Sequence, residues 1–390
     1  MRALVYGLAR SGRSSIERLD DPLVVDRSLG NEDDLTLLDG VDVVVKSPGV
    51  PGEVPLVVAA RERGIPVWSE VELGFRLLPD AKFVGVTGTN GKTTTTELLG
   101  AIFRAAGRDV AVAGNVGTPL TSVRSADWVV CELSSFQLED VHELACDVAV
   151  LLNLEPDHLD RHGSFENYRD TKLRIFERAR AKVVPRGLGL EGIEFAADDA
   201  LPAEPLIRGA HNRENAAAAT AAARAAGIAD EHIAEALRTF PGVPHRLELV
   251  GERDGVRYVN DSKATNVAAA LPALAAYADE PVHLILGGSP KGEDFAPLAA
   301  AIGPNVRSVH LIGAEAERLA AVIDGDRDET LEQAVAHAAQ LAQPGDVILL
   351  SPACASYDQF ANFEERGDAF RKLAASGGVG LAGVLTDEDL

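Results

Sequence analysis

Gly85-Val86-Thr87-Gly88-Thr89-Asn90-Gly91-Lys92-Thr93-Thr94 follows Lys82-Phe83-Val84 and precedes Thr95-Thr96-Glu97-Leu98-Leu99-Gly100-Ala101-Ile102-Phe103. An apolar run, a glycine turn and a helical pattern meet there, which predicts strand, loop and helix in that order. Backbone N–H groups at Gly88, Thr89, Asn90 and Gly91, and the positive end of the helix dipole, would face an anion in the bend. Lys92 is placed to reach a terminal phosphate, the Thr93 hydroxyl to hold Mg2+, and Thr94 to line the same turn. ATP is the expected ligand. The usual spacing of such a loop wants glycine at 86; here Val86 stands there and glycine sits at 85, so the spacing predicts a cradle one residue longer than usual.

The chain has 390 residues, which suggests two or three domains. Its 46% hydrophobic and 25% charged residues fit a globular enzyme rather than a disordered or fibrous chain. A formal net charge of −23 opposes nucleic acid and anionic membrane surfaces, and no basic patch in the sequence offsets it. Cys131, Cys146 and Cys354 are an odd number without metal-ligand spacing, so buried reduced thiols are expected rather than a disulfide framework. The first residues read as a short strand rather than a signal peptide, and no stretch approaches the roughly 20 apolar residues of a membrane helix. The cytoplasm is therefore the expected compartment.

Outward from the glycine turn, short apolar runs at residues 3–6, 23–25, 41–45 and 65–67 alternate with helical or turn-like stretches. That is the pattern of a small parallel α/β unit. Its first turn, Gly7-Leu8-Ala9-Arg10-Ser11-Gly12, resembles a nucleotide-binding turn with alanine in place of the middle glycine. After the cradle, residues 128–133 and 148–153 are near-continuous apolar runs, as buried parallel strands should be. A third unit opens near Phe240-Pro241-Gly242-Val243-Pro244, with strands expected at residues 256–259, 282–286, 308–312 and 347–350. The expected class is α/β in three consecutive domains. These are a Rossmann-like domain over residues 1–78, a central P-loop ATPase-like parallel-sheet domain over 79–241, and a C-terminal Rossmann-like domain over 242–390. The glycine-rich tail after Ser376 is expected to be mobile.

Polar residues gather where these strands end. Glu132 ends one buried strand and is placed to hold Mg2+ beside Thr93; a solvated strand-end carboxylate is the plain alternative. The next strand ends Asn153-Leu154-Glu155-Pro156-Asp157-His158-Leu159-Asp160-Arg161-His162, a set that suits a second metal or an oriented water, or a solvated loop. Residues 167–176 read as an amphipathic helix on which Lys172 alone would pass as a surface lysine. His211-Asn212-Arg213-Glu214-Asn215 reads as the cap of an alanine-rich helix over residues 215–226, stopped by Gly227.

Taken together these motifs resemble the Mur ligase superfamily of cell-wall amide-forming enzymes, over nearly all of residues 1–375. The resemblance implies an ADP-forming ligase that joins D-glutamate to UDP-N-acetylmuramoyl-L-alanine through an acyl phosphate, with ATP and Mg2+. It places ATP on Gly88 to Thr94, with Asn212, Asn215, Arg246 and Asp261 about the base, ribose and phosphates. Asn115, in Gly114-Asn115-Val116-Gly117, would lie near nucleotide and sugar substrate. Thr93, Glu132, His158 and Lys172 would hold metal, Lys172 as a carbamate, since an ammonium would repel Mg2+. Lys92, His158 and Lys172 are the implied catalytic residues. Lys263, Thr265, Lys291, Ser356, Tyr357 and Phe363 would face the acceptor, which has two carboxylates to hold besides its amine. The first domain departs from the family in a short stretch between Ser11 and Val24, so Arg10, Ser11, Asp26, Arg27 and Ser47 are only candidates for uracil and diphosphate contacts. The implied enzyme is a monomer acting on small molecules, without nucleic acid or membrane insertion. Two other readings stay open at this point: a superfamily ligase with another acceptor, and a nucleotide-driven switch protein.

Overall fold

The computed structural model describes residues 1–290 and 292–376, and its contacts divide them into two compact units. Lys291 and the tail after Ser376, singled out above, lie outside the described residues.

The first unit, Met1–Pro205 with Asn212–Phe240, carries two parallel sheets. In the first, β1 (Ala3–Tyr6), β2 (Leu23–Val25), β3 (Val43–Lys46) and β4 (Val67–Ser69) run in the order β2-β1-β3-β4. The order reverses between β1 and β3, and a ligand crevice is expected at such a switch point. The loops after both strands do meet there: Ser47 Oγ donates to Gly7 O at 3.2 Å.

The central sheet contains β5 (Lys82–Thr87), β6 (Val110–Gly114), β7 (Trp128–Glu132), β8 (Val148–Leu151), β9 (Ala181–Pro185) and β10 (Ile193–Phe195). Their order is β10-β9-β8-β5-β7-β6, so β5, which feeds the glycine turn, is interior and flanked by β7 and β8. The carboxyl ends of these three neighbours deliver Gly88, Glu132 and Asn153 to one edge.

The expectation of a lengthened cradle is corrected here. Gly85 and Val86 are strand residues, with Gly85 opposite Cys131 and Ala149 in the ladder. Gly85 serves packing, because a methyl there would sit 2.7 Å from Cys146 Sγ. The turn itself starts only at Gly88.

The two sheets of this unit are joined through buried carboxylates, which need such partners to offset their desolvation. Glu70 accepts from Thr121 N and Oγ1, each at 2.7 Å, and Glu72 accepts from the backbone of His142, Glu143 and Leu144. Buried Lys46 pairs with Asp140 at 3.1 Å.

The second unit, Leu206–His211 with Pro241–Leu390, carries a six-stranded sheet. It is built from β11 (Glu248–Arg253), β12 (Val256–Asn260), β13 (Val282–Gly287), β14 (Val306–Ile312), β15 (Asp326–Arg327) and β16 (Val347–Leu350) in the order β11-β12-β16-β13-β14-β15. Only β11 is antiparallel to its neighbour. Alternate residues feed opposite faces: Leu284, Leu286, Val347 and Leu349 enter one core, Ile285, Ile348 and Leu350 the other. Both faces are covered, which explains the unbroken apolar runs.

Two local expectations need adjusting. The alanine-rich helix begins at Ala210 and runs to Ala225, so His211 to Asn215 are its first turns rather than its cap. The helix expected over residues 167–176 is α-helical over Phe165–Leu173 and continues as a 3-10 turn, Arg174–Phe176. All three cysteines are buried and unbridged. Among the described residues no helix is long and apolar enough to cross a membrane.

Candidate active site

The turn after β5 ends at Gly91, whose φ of 82° suits glycine, and helix Lys92–Ala105 starts at the next residue. A side chain at 91 would also strike Asn215, which donates from Nδ2 to Asn212 Oδ1 at 3.2 Å. The helix asparagines Asn212 and Asn215 therefore lie against the cradle. The first turn of the helix, with Lys92, Thr93 and Thr94, presents N–H groups that have no intrahelical acceptor. The buried Thr94 hydroxyl has no hydrogen-bond partner among the described residues.

The loop after β8 shapes the turn from the other side. Asn153 Oδ1 accepts from Thr89 N at 3.0 Å and Asn90 N at 2.8 Å. Asn90 Nδ2 donates to Glu155 Oε2 at 3.0 Å, and Thr89 Oγ1 lies 3.0 Å from the hydroxyl of buried Tyr168. Two of the expected phosphate-binding N–H groups, at 89 and 90, are thus engaged by Asn153. This leaves the helix start as the main N–H surface for an anion.

Lys92 Nζ donates to Gly88 O at 2.9 Å and Thr89 O at 2.8 Å. Lys172 Nζ donates to the same Gly88 O at 2.7 Å, from 4.7 Å over the Tyr168 ring. Lys172 is 2% exposed and so is no surface lysine. Burial first, and the Lys92 charge second, lower its pKa to about 7, against the opposing pull of Asp157 and Glu132.

Glu132, 2% exposed at the end of β7, accepts from Asn115 Nδ2 at 3.0 Å, and its carbonyl accepts from Asn115 N at 2.9 Å. Among the described residues it has no salt bridge. Its charge also raises the pKa of Glu97 on the cradle helix, after burial and against Arg104. His158 is half-exposed, with φ 51°, Nε2 3.6 Å from Asp157 Oδ2 and its ring 4.8 Å from that of Phe136. The buried neighbour His162 instead contacts Ser135 Oγ at 3.0 Å.

The first-sheet candidates form a second locus in this unit. Arg10 donates to Gly117 O at 2.8 Å, and Asp26 accepts from Leu8 N at 2.7 Å and from Ser28. Those hydrogen bonds hold the Asp26 pKa down and commit its carboxylate to shaping the Gly7 turn. Ser11 lies in helix Arg10–Ile16 and Arg27 in the 3-10 turn Arg27–Leu29. Beside them Leu8, Arg10, Arg13, Ser14, Pro119 and Ser122 line an open groove of about 550 Å³.

In the second unit, His245 and Leu247 both have positive φ, 63° and 45°, and flank Arg246. Arg246 Nε is buried without a hydrogen-bond partner among the described residues. Asp261 accepts from Leu247 N at 3.2 Å and Ser351 Oγ at 2.7 Å, and burial raises its pKa to about 7. It therefore supports the Arg246 turn. Lys263 Nζ lies 5.5 Å from the Phe363 ring, with Thr265 two residues on; Ser356 is buried and Tyr357 is 74% exposed.

Tyr168, Glu97 and Arg366 were missed as site residues, and Asn153, quoted in the polar set after β8, was not foreseen as the acceptor for the Thr89 and Asn90 N–H groups. Tyr168 was findable, since it precedes Lys172 by one helical turn. Arg366 had no local signal. Buried in helix Phe363–Ser376, it donates to Ser262 Oγ and O, Gly287 O, Cys354 O and Ala355 O, binding the loops after β12, β13 and β16 together.

An α/β enzyme with a glycine turn and an open helix start at the edge of its central sheet is the class that this fold and site define. Family profiles agree: the Mur ligase middle domain matches residues 86–186, and the Mur ligase glutamate ligase domain matches residues 245–354. A Sphingopyxis alaskensis relative named UDP-N-acetylmuramoylalanine--D-glutamate ligase is 41% identical over 95% of this chain and 96% of its own length. One from Anaeromyxobacter dehalogenans with the same name is 44% identical, over 90% of this chain and 88% of its own. The chain belongs to the Mur ligase family. Among solved structures, UDP-N-acetylmuramate-alanine ligase MurC from Thermotoga maritima shares the fold with TM-score 0.61 at 18% identity, covering 96% of this chain and 99% of that one. MurF ligase from the same organism, in complex with ADP, also gives 0.61 at 18%, covering 96% and 95%.

Proposed function

We propose that the chain is an ADP-forming ligase that joins the carboxylate of UDP-N-acetylmuramoyl-L-alanine to the amine of D-glutamate in peptidoglycan precursor synthesis. The observation that carries the ATP-dependent half is the convergence of Lys92, Lys172 and the start of helix Lys92–Ala105 on the Gly88 turn. The acceptor rests on the full-length relatives and their shared name.

ATP binds with its phosphates on residues 88–94. We assign Asn212, Asn215, Arg246 and Asp261 to the nucleotide. The site residues fit Mg2+, because Glu132 is a buried carboxylate with no ion-pair partner among the described residues, a state that favours a cation. Thr93, Glu132, His158 and a carbamylated Lys172 would hold it, and the bound metal would neutralise charge between phosphate and carboxylate. Lys172 suits carbamylation. At a pKa of about 7 a large share of the amine is neutral near pH 7. Its lone pair attacks CO2, an N–C bond forms, and the nitrogen proton leaves to solvent.

Lys92 stabilises the transferring phosphoryl group, the donor carboxylate becomes an acyl phosphate, and the amine then displaces phosphate. His158 is the candidate base for the amine in the state where its imidazole is not on the metal. Arg10, Ser11, Asp26, Arg27, Ser47 and Asn115 serve the sugar nucleotide, and Lys263, Thr265, Lys291, Ser356, Tyr357 and Phe363 serve D-glutamate. We assign the three functional domains to residues 1–78, 79–241 and 242–390, and place the enzyme in the cytoplasm as a monomer. Incubation with ATP, Mg2+, UDP-N-acetylmuramoyl-L-alanine and a panel of amino acids, with mass detection, tests the acceptor. Product should form with D-glutamate; preferential use of L-alanine, lysine or meso-diaminopimelate would contradict the reading.

A further inference from the structure

A buried polar chain crosses the second unit through β13 and β14 and has no part in the proposed ligation. It begins at Asp346, whose Oδ2 lies 3.1 Å from His283 Nε2. His283 Nδ1 is 2.7 Å from Ser308 Oγ, which is 2.7 Å from His310 Nε2. His310 Nδ1 then meets Asp328 Oδ2 at 2.6 Å. His283 is 2% exposed and His310 0%.

Protons do not balance along this chain. Ionised carboxylates at its two ends only accept, while each neutral imidazole and the serine supply one proton apiece. That makes three protons for four contacts. If His283 donates to Asp346, it must accept from Ser308, and Ser308 must accept from His310 Nε2. The unprotonated His310 Nδ1 is then left facing a carboxylate oxygen. One more positive species has to sit in the chain, either an additional proton or a cation.

The surroundings favour a cation at the Asp328 end. A third donor converges from helix Leu331–Leu341: His337 Nδ1 lies 3.1 Å from Asp328 Oδ1, and its ring is 4.9 Å from that of His310. Donor atoms of His310, Asp328 and His337 all lie within 4.8 Å of one another. The outer contacts are those that orient metal-binding imidazoles. Ser308 takes the far N–H of His310, and Asp326 faces His337 Nε2 at 3.9 Å, so both Nδ1 atoms turn toward the Asp328 carboxylate. The His337 side chain is 37% exposed, giving an ion an entry path.

We propose that His310, Asp328 and His337 form a binding site for a divalent transition metal of the Zn2+ class, with water as the fourth ligand. Two imidazoles and one carboxylate suit Zn2+ better than Mg2+ or Ca2+, which favour all-oxygen shells. The ion ties the two-residue edge strand β15, directly before Asp328, to the helix that carries His337. Its role is structural and independent of the ligase assignment.

The test titrates Zn2+ into full-length, chelator-treated protein by calorimetry, with elemental analysis and melting curves. Wild type, His337→Ala and Asp328→Asn are compared, with circular dichroism confirming that each folds. Wild type should bind one Zn2+ that both variants lose or bind at least about 100-fold more weakly. Zn2+ should raise the melting temperature of wild type alone. Metal held elsewhere, as at Glu132, would appear equally in all three proteins. Identical isotherms and melting shifts, or no Zn2+ bound by wild type, would overturn the proposal and leave a shared proton as the missing charge.

Discussion

The ammonium groups of Lys92 and Lys172 share one acceptor, the Gly88 carbonyl oxygen, at 2.9 and 2.7 Å. Two cations on one oxygen repel, and the Lys92 charge adds to burial in lowering the Lys172 pKa. In the proposed function, Lys92 serves phosphate binding and also keeps Lys172 reactive. Lys92→Ala should lower kcat by at least about 100-fold with little change in melting temperature. Phosphate-release kinetics checks this; retained turnover would contradict the role.

The proposed carbamylation of Lys172 gives a direct spectroscopic prediction. Protein equilibrated with 13C-bicarbonate should show a carbamate carbon signal that Lys172→Met abolishes. In Lys92→Ala the signal should weaken at neutral pH, because losing the neighbouring charge raises the Lys172 pKa. A signal unchanged in Lys172→Met would refute the assignment.

Asp261 predicts a pH dependence of stability. Its folded pKa, raised by burial to about 7, lies above the ordinary 3.8 of the unfolded chain. Between those values the folded state binds more protons. Its contribution is therefore fully present below pH 3.8 and is lost as pH rises through about 7. The loss is at most about 4 kcal/mol. Asp261→Asn should flatten stability across that window in denaturant titrations, while keeping an acceptor for Leu247 N.

Arg366 holds three loops of the second unit through buried carbonyl acceptors, including Cys354 O and Ala355 O directly before Ser356. Arg366→Met would strand Cys354 O, at a cost of about 1–3 kcal/mol for a buried acceptor without a donor, whereas Ala355 O keeps Ser289 N at 2.8 Å. The melting temperature should fall, and the KM for D-glutamate should rise more than that for ATP. Equal changes in both KM values would mean that Arg366 acts on the fold alone.

Local chemistry made the cradle legible: strand, glycine turn and helix are contiguous in sequence, and so are the polar residues ending β7 and β8. Gly85 was misassigned because loop spacing counts positions and does not show where β5 ends. Arg366 was invisible as a site residue, and the turn-shaping role of Asn153 within its polar run was too, because their partners, Ser262 and Thr89, are brought to them only by folding. β11 and β15 escaped notice for another reason. Both are edge strands with exposed polar residues, and β15 has only two residues, so neither carries the apolar run that marked β12, β13 and β16.

Phosphate release in an omission series tests the central claim most directly. With ATP and Mg2+ present, UDP-N-acetylmuramoyl-L-alanine and D-glutamate are supplied together, singly, or not at all. The account predicts sustained release, matched by amide product, only when both are present. Sustained release without either would contradict it and mark the chain as a nucleotide-driven switch.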